Sequence, residues 1–276
     1  MPELPEVQTV INTLKDSGLL HKTIKDVLVY KVKLLKNSSP KQFQKFLIGE
    51  QVVNIERKGK FLIFHLSHRK TLVIHLRMEG KLFYEPNESN VPKAHLRIEF
   101  VLNNKHTLRY YDSRIFGTFH IYQGDAHLKA PQLTKLALDP LDSKFDWKYL
   151  KNHLSGSHRA IKTTLLDQTL VAGIGNIYAD EILFLSHIHP LRKPSTLSDN
   201  DFKQLTKNSK LILNKAIKHG GTTVSSYKWD PNHYGGYQNL LLVHTKKGQP
   251  CPVCRTKIQK IKVNGRGTYF CARCQK

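Results

Sequence analysis

The chain opens Met1-Pro2-Glu3-Leu4-Pro5-Glu6. Removal of Met1 leaves a secondary amine at the terminus, with a carboxylate on the next residue. An α-amino group titrates near about 7.7–8. A neutral fraction therefore exists near neutral pH, and a neutral amine can attack an electrophilic carbon to form a covalent iminium. Pro2 is small enough for the initiator methionine to be clipped, and Glu3 stands where a general acid or base is needed. Taken alone, these six residues read better as a rigid, acidic helix start, with Pro5 at the first helical position and Glu6 favoured by the dipole. The remainder of the chain reverses that preference. A second centre lies at the other end, where Cys251, Cys254, Cys271 and Cys274 form C-x2-C, sixteen residues, C-x2-C. This spacing suits a structural zinc site, two short sulfur-bearing loops joined by a hairpin. Two disulfides are the alternative, and the absence of a secretory signal pattern favours zinc.

A third candidate is Val171-Ala-Gly-Ile-Gly-Asn-Ile-Tyr-Ala-Asp-Glu181. Gly173 and Gly175 allow a tight turn and Asn176 opens a helix, whose N-terminal N–H groups and Asn amide suit an anion. No strand precedes the glycines, so a nucleotide-fold loop is disfavoured and a DNA-backbone clamp fits better. By itself this segment is equally an ordinary helix connection.

The elements that must position these groups follow from length and pattern. At 276 residues, the chain has room for two domains with their own cores. Its 44 Lys and Arg against 21 Asp and Glu give a formal charge of +23, which calls for a polyanionic partner. Nucleic acid, an anionic membrane surface or an acidic protein would each satisfy the charge. No run of about 18 apolar residues exists, which argues against membrane insertion. Val7, Val10, Ile11 and Leu14 repeat at helical spacing over 6–20. Residues 23–122 then read as short β-type runs, clearest at 61–66, 72–76, 96–102, 108–111 and 117–122, with a polar loop at 84–94. After Asp139-Pro140 the pattern is helical, at 146–154, 157–168, 175–186 and 198–219. The last helix starts at Ser198 with Asp201 three residues on, and ends at Gly220-Gly221. Residues 222–240 read as a mobile surface loop, and Asn264-Gly265 predicts a tight hairpin turn that leaves Arg266 near its tip.

Six motifs now stand in one order: MPELPE, Gly59-Lys60-Phe61-Leu62, His75-Leu76-Arg77-Met78-Glu79-Gly80, Asp112-Ser113-Arg114-Ile115-Phe116-Gly117, GIGNIYADE and the four-cysteine finger. Together they resemble the bacterial formamidopyrimidine-DNA glycosylases, base-excision enzymes for oxidised purines, from Pro2 to Lys276. The resemblance implies an α+β fold: an N-terminal β-sandwich with an N-terminal helix (1–130), a linker (131–145), a helix–two-turn–helix domain with a lesion-capping loop (146–240) and a zinc finger (241–276), with DNA in the cleft between the two domains. It implies Pro2 as the nucleophile toward C1′, Glu3 as proton donor, Lys60 as a phosphate contact that aids proton transfer, and Arg266 as a helper in the final elimination. Met78, Arg114 and Phe116 correspond to residues that fill the hole left by the flipped nucleotide. Asn176 and Arg266 correspond to phosphate contacts, and Arg159, Lys162 and Lys93 are further expected backbone contacts. The segment Gly220–Asn239 corresponds to the loop covering the flipped purine.

Three departures bear on affinity and substrate preference. Ile115 stands where the family often has a second basic residue. Lys93-Ala94-His95 replaces a histidine-rich segment, and Val243-His244-Thr245-Lys246 replaces a tyrosine–glycine–basic run. The expectation is a cytoplasmic, nucleoid-associated bacterial enzyme acting as a monomer on double-stranded damaged DNA with one structural Zn2+. An endonuclease VIII-like pyrimidine glycosylase shares the proline–glutamate start, but Leu4 and the void-filling trio favour the purine enzyme. A lesion-binding zinc protein that does not cut, and a basic RNA- or ribosome-associated zinc protein, are the alternatives of a different class.

Overall fold

The computed structural model describes residues 1–88, 93–222 and 235–276. The chain divides into two compact units, Met1–Thr134 with Gly220–Gly235, and Lys135–His219 with Gly236–Lys276.

The first unit begins with helix α1 (Leu4–Asp16). Glu3 is its N-cap and Glu6 its third residue, and the two form a reciprocal capping box in which the Glu6 carboxylate accepts the Glu3 N–H at 2.8 Å. Pro5 therefore occupies the second helical position, one later than expected. The Val7, Val10, Ile11 and Leu14 stripe is buried as its spacing requires. Eight strands follow: β1 (Ile24–Val29), β2 (Val52–Lys58), β3 (Phe61–Leu66), β4 (Lys70–His75), β5 (Lys81–Pro86), β6 (Leu96–Leu102), β7 (His106–Tyr111) and β8 (Thr118–Gln123). They form two antiparallel four-stranded sheets, ordered β1-β6-β7-β5 and β2-β3-β4-β8. Their inward residues, among them Val27, Ile98, Phe100, Leu108 and Tyr110 from the first sheet and Ile55, Leu62, Phe64, Ile74 and Phe119 from the second, share one core with the α1 stripe. Helix α2 (Pro40–Leu47) adds Phe43 and Leu47. Residues 131–145, expected as a linker, instead hold the short helix α3 (Pro131–Thr134) and bury Leu133 and Phe145.

Period two puts Arg109 and Tyr111 on the face of β7 opposite to Leu108 and Tyr110. There Arg109, 3 % exposed, is bonded through Nη1 to Glu85 at 2.8 Å and through Nε to Glu99 at 3.1 Å. Its Nη2 donates to the Asn87 carbonyl at 3.0 Å.

The second unit contains α4 (Trp147–Leu154), α5 (Ile161–Leu165), α6 (Asn176–Leu185), α7 (Asp199–Lys218) and the hairpin β9 (Gln259–Val263)–β10 (Arg266–Phe270). Ser198 and Asp201 form the capping box expected for α7. Helix α5 is shorter than the expected 157–168, because Asp167 takes the Thr169 N–H at 3.1 Å and the Thr169 hydroxyl at 2.7 Å and turns the chain there. Asn264 and Gly265, at φ 45° and 76°, make the tight turn between β9 and β10. The finger packs with the helices rather than forming a body of its own, and residues 220–222 and 235 belong with the first unit. The reason for the latter is Glu6, whose carboxylate also accepts the Thr222 N–H at 2.8 Å and hydroxyl at 3.0 Å. Of the expected loop at 222–240, residues 223–234 lie outside the described residues, and Tyr237–Leu240 forms a 3-10 turn with Tyr237 buried. Among the described residues, no helix is long and apolar enough to cross a membrane.

Arg109→Ala leaves two buried carboxylates facing each other without a cation. The expected loss is about 3–5 kcal/mol of stability, read as a lowered urea midpoint for the first unit.

Candidate active site and nucleic-acid interface

Pro2 and Glu3 are buried at the start of α1, with Glu3 2 % exposed, while Met1 remains 42 % exposed. Met1 lines a cavity of about 460 Å³ together with Lys33, Lys36, Arg77, Met78, Ile115, Phe116 and Thr118. Met1 is bonded directly to the Pro2 nitrogen, and the cavity it lines is basic and partly apolar. Two of the three expected void-filling residues line it, Met78 at 37 % and Phe116 at 47 % exposure. Arg114 lies with its guanidinium 4.7 Å from the Phe116 ring centroid, so the third member sits beside the second.

Two loops carry this trio, and the buried pair Tyr110–Asp112 shapes both. The Tyr110 hydroxyl donates to Asp112 Oδ2 at 3.1 Å. The same carboxylate accepts the N–H groups of Arg114 at 3.0 Å and of Phe116 and Gly117 at 2.9 Å. A Cβ on Gly80 would stand 2.4 Å from the Tyr110 hydroxyl, and one on Gly117 only 1.8 Å, so both loops close on this group only because glycine occupies each position. Ile115 is left at φ 57°, a strained conformation for a β-branched residue. Its side chain packs on the sandwich core while Asp112 holds the flanking N–H groups, and these contacts maintain the strain. Neither Tyr110 nor the carboxylate role of Asp112 was read from sequence, although Asp112 opens one of the motifs.

Lys60 lies in the two-residue β2–β3 hairpin turn, after Gly59 at φ 56°, and is only 5 % exposed. Arg57 Nη1 braces that turn through the Gly59 carbonyl at 3.0 Å. At the same end of the sheet His75, the last residue of β4, is 7 % exposed and sets its ring edge-on to Phe61 at 4.5 Å. Burial, with the charges of Arg77, Lys60 and His120, pushes its pKa down to about 3. The neutral ring accepts the Arg77 N–H through Nδ1 at 2.9 Å, which fixes the proton on Nε2. His75 opens one of the motifs, but nothing in its sequence neighbourhood marks its role. Its position next to a buried lysine, which only the fold reveals, marks it. Lys93 is exposed just ahead of β6.

In the second unit, Gln168 stitches the glycine loop, accepting the Gly173 N–H at 2.9 Å and donating to the Ile174 carbonyl at 2.9 Å. Asn176 opens α6, but its amide nitrogen donates to the Gly267 carbonyl at 3.1 Å, and its buried Oδ1 lacks a partner in the structure. Arg266 is exposed beside the hairpin turn. Arg159 is exposed and paired with Asp167 at 3.0 Å. Lys162 departs from expectation: with no exposure, and its ammonium 2.7 Å from Asp180, it presents no surface to a phosphate. The four cysteines are free thiols, so no disulfide forms. Their Sγ atoms all lie within 4.8 Å of one another, with Cys251–Cys274 at 3.8 Å and Cys254–Cys271 at 3.4 Å. Tetrahedral thiolates about 2.3 Å from a metal would stand about 3.8 Å apart, so the set fits one ion.

His75 gives the first unit a pH dependence. Unfolded, its ring titrates near the ordinary 6.5, whereas folded it stays neutral down to about 3. The unfolded chain thus binds the extra proton within this window, and stability falls as pH drops below the upper value. His75→Gln is expected to flatten the loss of melting temperature between pH 6.5 and pH 4 relative to the parent chain, measured by thermal scans.

The geometry agrees with the comparisons to known proteins. The model of the formamidopyrimidine-DNA glycosylase N-terminal domain matches residues 1–119, that of the family's H2TH domain residues 136–228, and that of the zinc finger found in FPG and IleRS residues 248–276. The formamidopyrimidine-DNA glycosylase of Ureaplasma parvum is 49% identical over 277 residues, covering 100% of both chains. That of Bacillus subtilis is 44% identical over 278 residues, covering 100% of this chain and 99% of its own. Among solved structures, a Lactococcus lactis FPG mutant in complex with Fapy-dG containing DNA superposes with a TM-score of 0.93 at 37% identity, over 100% of both chains. The Lactococcus lactis Fpg bound to abasic-site DNA gives 0.91 at 36% identity over 99% of both. The chain belongs to the formamidopyrimidine-DNA glycosylase family.

Proposed function

We propose that the chain is a bifunctional DNA glycosylase and abasic-site lyase that removes oxidised purines, 8-oxoguanine and formamidopyrimidines, from duplex DNA in base-excision repair. The observation that carries this reading is the Met1-lined cavity, where the residue bonded to the Pro2 nitrogen stands with Met78 and Phe116. Its relatives bear the glycosylase name, and solved neighbours hold damaged DNA.

In the proposed reaction, the neutral Pro2 nitrogen attacks C1′ as the glycosidic bond breaks, and the departing base takes up the proton that the alkylated amine sheds. Glu3 supplies the proton for ring opening, and an iminium joins Pro2 to the sugar. Loss of a sugar C–H proton with the 3′ phosphate, and then of a second with the 5′ phosphate, leaves a one-nucleotide gap, and water hydrolyses the iminium to release the sugar remnant and restore the Pro2 amine. Lys60 sits at the β2–β3 turn as a buried cation for the phosphate next to the reacting sugar. Met78, Arg114 and Phe116 fill the emptied stack, Phe116 as wedge and Arg114 as donor to the orphaned base. Lys93, Arg159, Asn176 and Arg266 contact the sugar–phosphate backbone, which at a formal charge of +23 draws the chain to DNA in a salt-dependent way. The four cysteines hold one structural Zn2+, which supplies no chemistry to the reaction. The enzyme works as a cytoplasmic monomer associated with the nucleoid.

Borohydride trapping on a duplex with one 8-oxoguanine opposite cytosine tests the reading. The parent chain is expected to give a covalent adduct mapped to Pro2, and Pro2→Gly and Glu3→Gln little or none. Trapping only on an oxidised-pyrimidine duplex would move the chain to the endonuclease VIII-like branch. Tight binding with a processed N-terminus and no adduct on any lesion would make it a non-cutting reader of damage. Chelating the metal is expected to abolish DNA binding while circular dichroism shows the sandwich still folded; unimpaired binding without metal would contradict this.

A further inference from the structure

The buried acid Asp180 draws together groups from three other parts of the second unit. It is 1 % exposed and lies on α6. Its Oδ1 accepts from the Lys162 ammonium of α5 at 2.7 Å. Its Oδ2 meets His244 Nδ1, in the segment before the finger, at 2.7 Å and accepts the Tyr269 N–H of β10 at 3.2 Å. An ionised carboxylate is acceptor-only, so His244 carries its proton on Nδ1 in this contact. The His244 ring also stands edge-on to Tyr269, with centroids 4.9 Å apart. Lys162 then reaches the Gly267 carbonyl at 3.1 Å, and Asn176 holds the same carbonyl at 3.1 Å.

Two of these bonds hold Gly267, beside the tip, and one holds Tyr269, nearer the root. Gly267 follows Arg266, and Tyr269 stands two residues further on. The cysteines grip the other end: Cys271 lies five residues past Arg266, about 17 Å along an extended strand. A metal at the root thus leaves the tip free to swing unless something else fixes it. Apolar side chains could have filled this interior without the desolvation that three buried charged or polar groups impose. What the polar set adds is direction, since Lys162 and Asn176 hold the Gly267 carbonyl and Asp180 holds the Tyr269 N–H of β10.

We propose that Asp180, together with His244 and Lys162, is a positioning centre that sets the hairpin tip bearing Arg266, independently of the metal at its root. The proposal rests on the reading that Arg266 contacts DNA. Asp180→Asn keeps the shape and drops the charge. Since it also leaves Lys162 uncompensated, a second pair avoids dependence on that variant: His244→Phe keeps a ring against Tyr269 and drops the donor, while His244→Gln keeps a donor toward Asp180.

The experiment measures dissociation constants for a duplex containing a tetrahydrofuran abasic-site analogue, with Arg266→Ala as reference, alongside metal content, the ratio of single- to double-elimination products, and amide exchange at Gly267–Tyr269. His244→Phe and Asp180→Asn are expected to weaken binding about tenfold, on the scale of lost backbone-contact geometry. Each retains one metal ion per chain, exchanges the hairpin amides faster and shifts products toward single elimination. His244→Gln returns toward the parent, and combining Asp180→Asn with Arg266→Ala is no worse than Arg266→Ala alone. Parent-like exchange and binding in His244→Phe, with Arg266→Ala impaired, would overturn the proposal. Should Arg266→Ala bind and cut like the parent, the role of Arg266 fails instead, and amide exchange alone decides whether the tip is held: faster exchange sustains the positioning centre, unchanged exchange ends it.

Discussion

A carboxylate taken out of water must be met by hydrogen-bond donors or by a cation, and this constraint organises both units. The chain has few acids, 21 against 44 bases, and many of those few are inside. Glu6 collects the N-terminus of α1 and residue Thr222. Asp112 collects the backbone of the loop bearing Arg114 and Phe116. Glu181 accepts the consecutive N–H groups of Leu242, Val243 and His244, and burial still lifts its carboxyl above the ordinary range against their pull. In each case, one buried carboxylate gathers the N–H groups of an irregular segment, which is how loops gain the rigidity that chemistry on DNA requires.

The same arrangement separates the charges. With the acids drawn inward, the surface keeps an excess of lysine and arginine that nearby carboxylates do not neutralise. Exposed pairs such as Arg69–Asp125 and Lys151–Asp199 are weakly coupled, and salt screens them. The interior ion pairs fix geometry, and the unpaired exterior cations supply the field.

Much of this was legible from residue order. The α1 stripe, the apolar run of β3, the alternation in β6, the Ser198–Asp201 cap and the Asn264-Gly265 turn follow local rules, and each local rule agrees with the fold. Helix α2 carried a readable signal too, Ser39, Pro40 and Gln42 forming a capped start, but its eight residues are easily lost among strands. Strands β1 and β2 were faint because each is irregular in register, at Ile24/Asp26 and Val52/Asn54, and a bulge breaks the period of two. The site divides in the same way. Pro2, Glu3 and the cysteines announce themselves by type and spacing. Tyr110, His75 and the interior role of Lys162 depend on which residues meet across the fold. A buried lysine and an exposed one look alike in a sequence.

The pairing of β1 with β6 joins Ile24 to Leu102, whereas β2, β3 and β4 are linked by short turns and pair as neighbours. Forming a local meander costs little chain entropy, and closing a span of that length costs more, so β2, β3 and β4 are expected to pair before β1 meets β6 or β8 meets β4. Helix α1 buries its stripe in the core that both sheets share, and therefore docks only once the late pairing is made. The amine at Pro2 thus has no structured cavity in a partly synthesised or partly unfolded chain. Any role for that amine depends on the assembled core of the first unit.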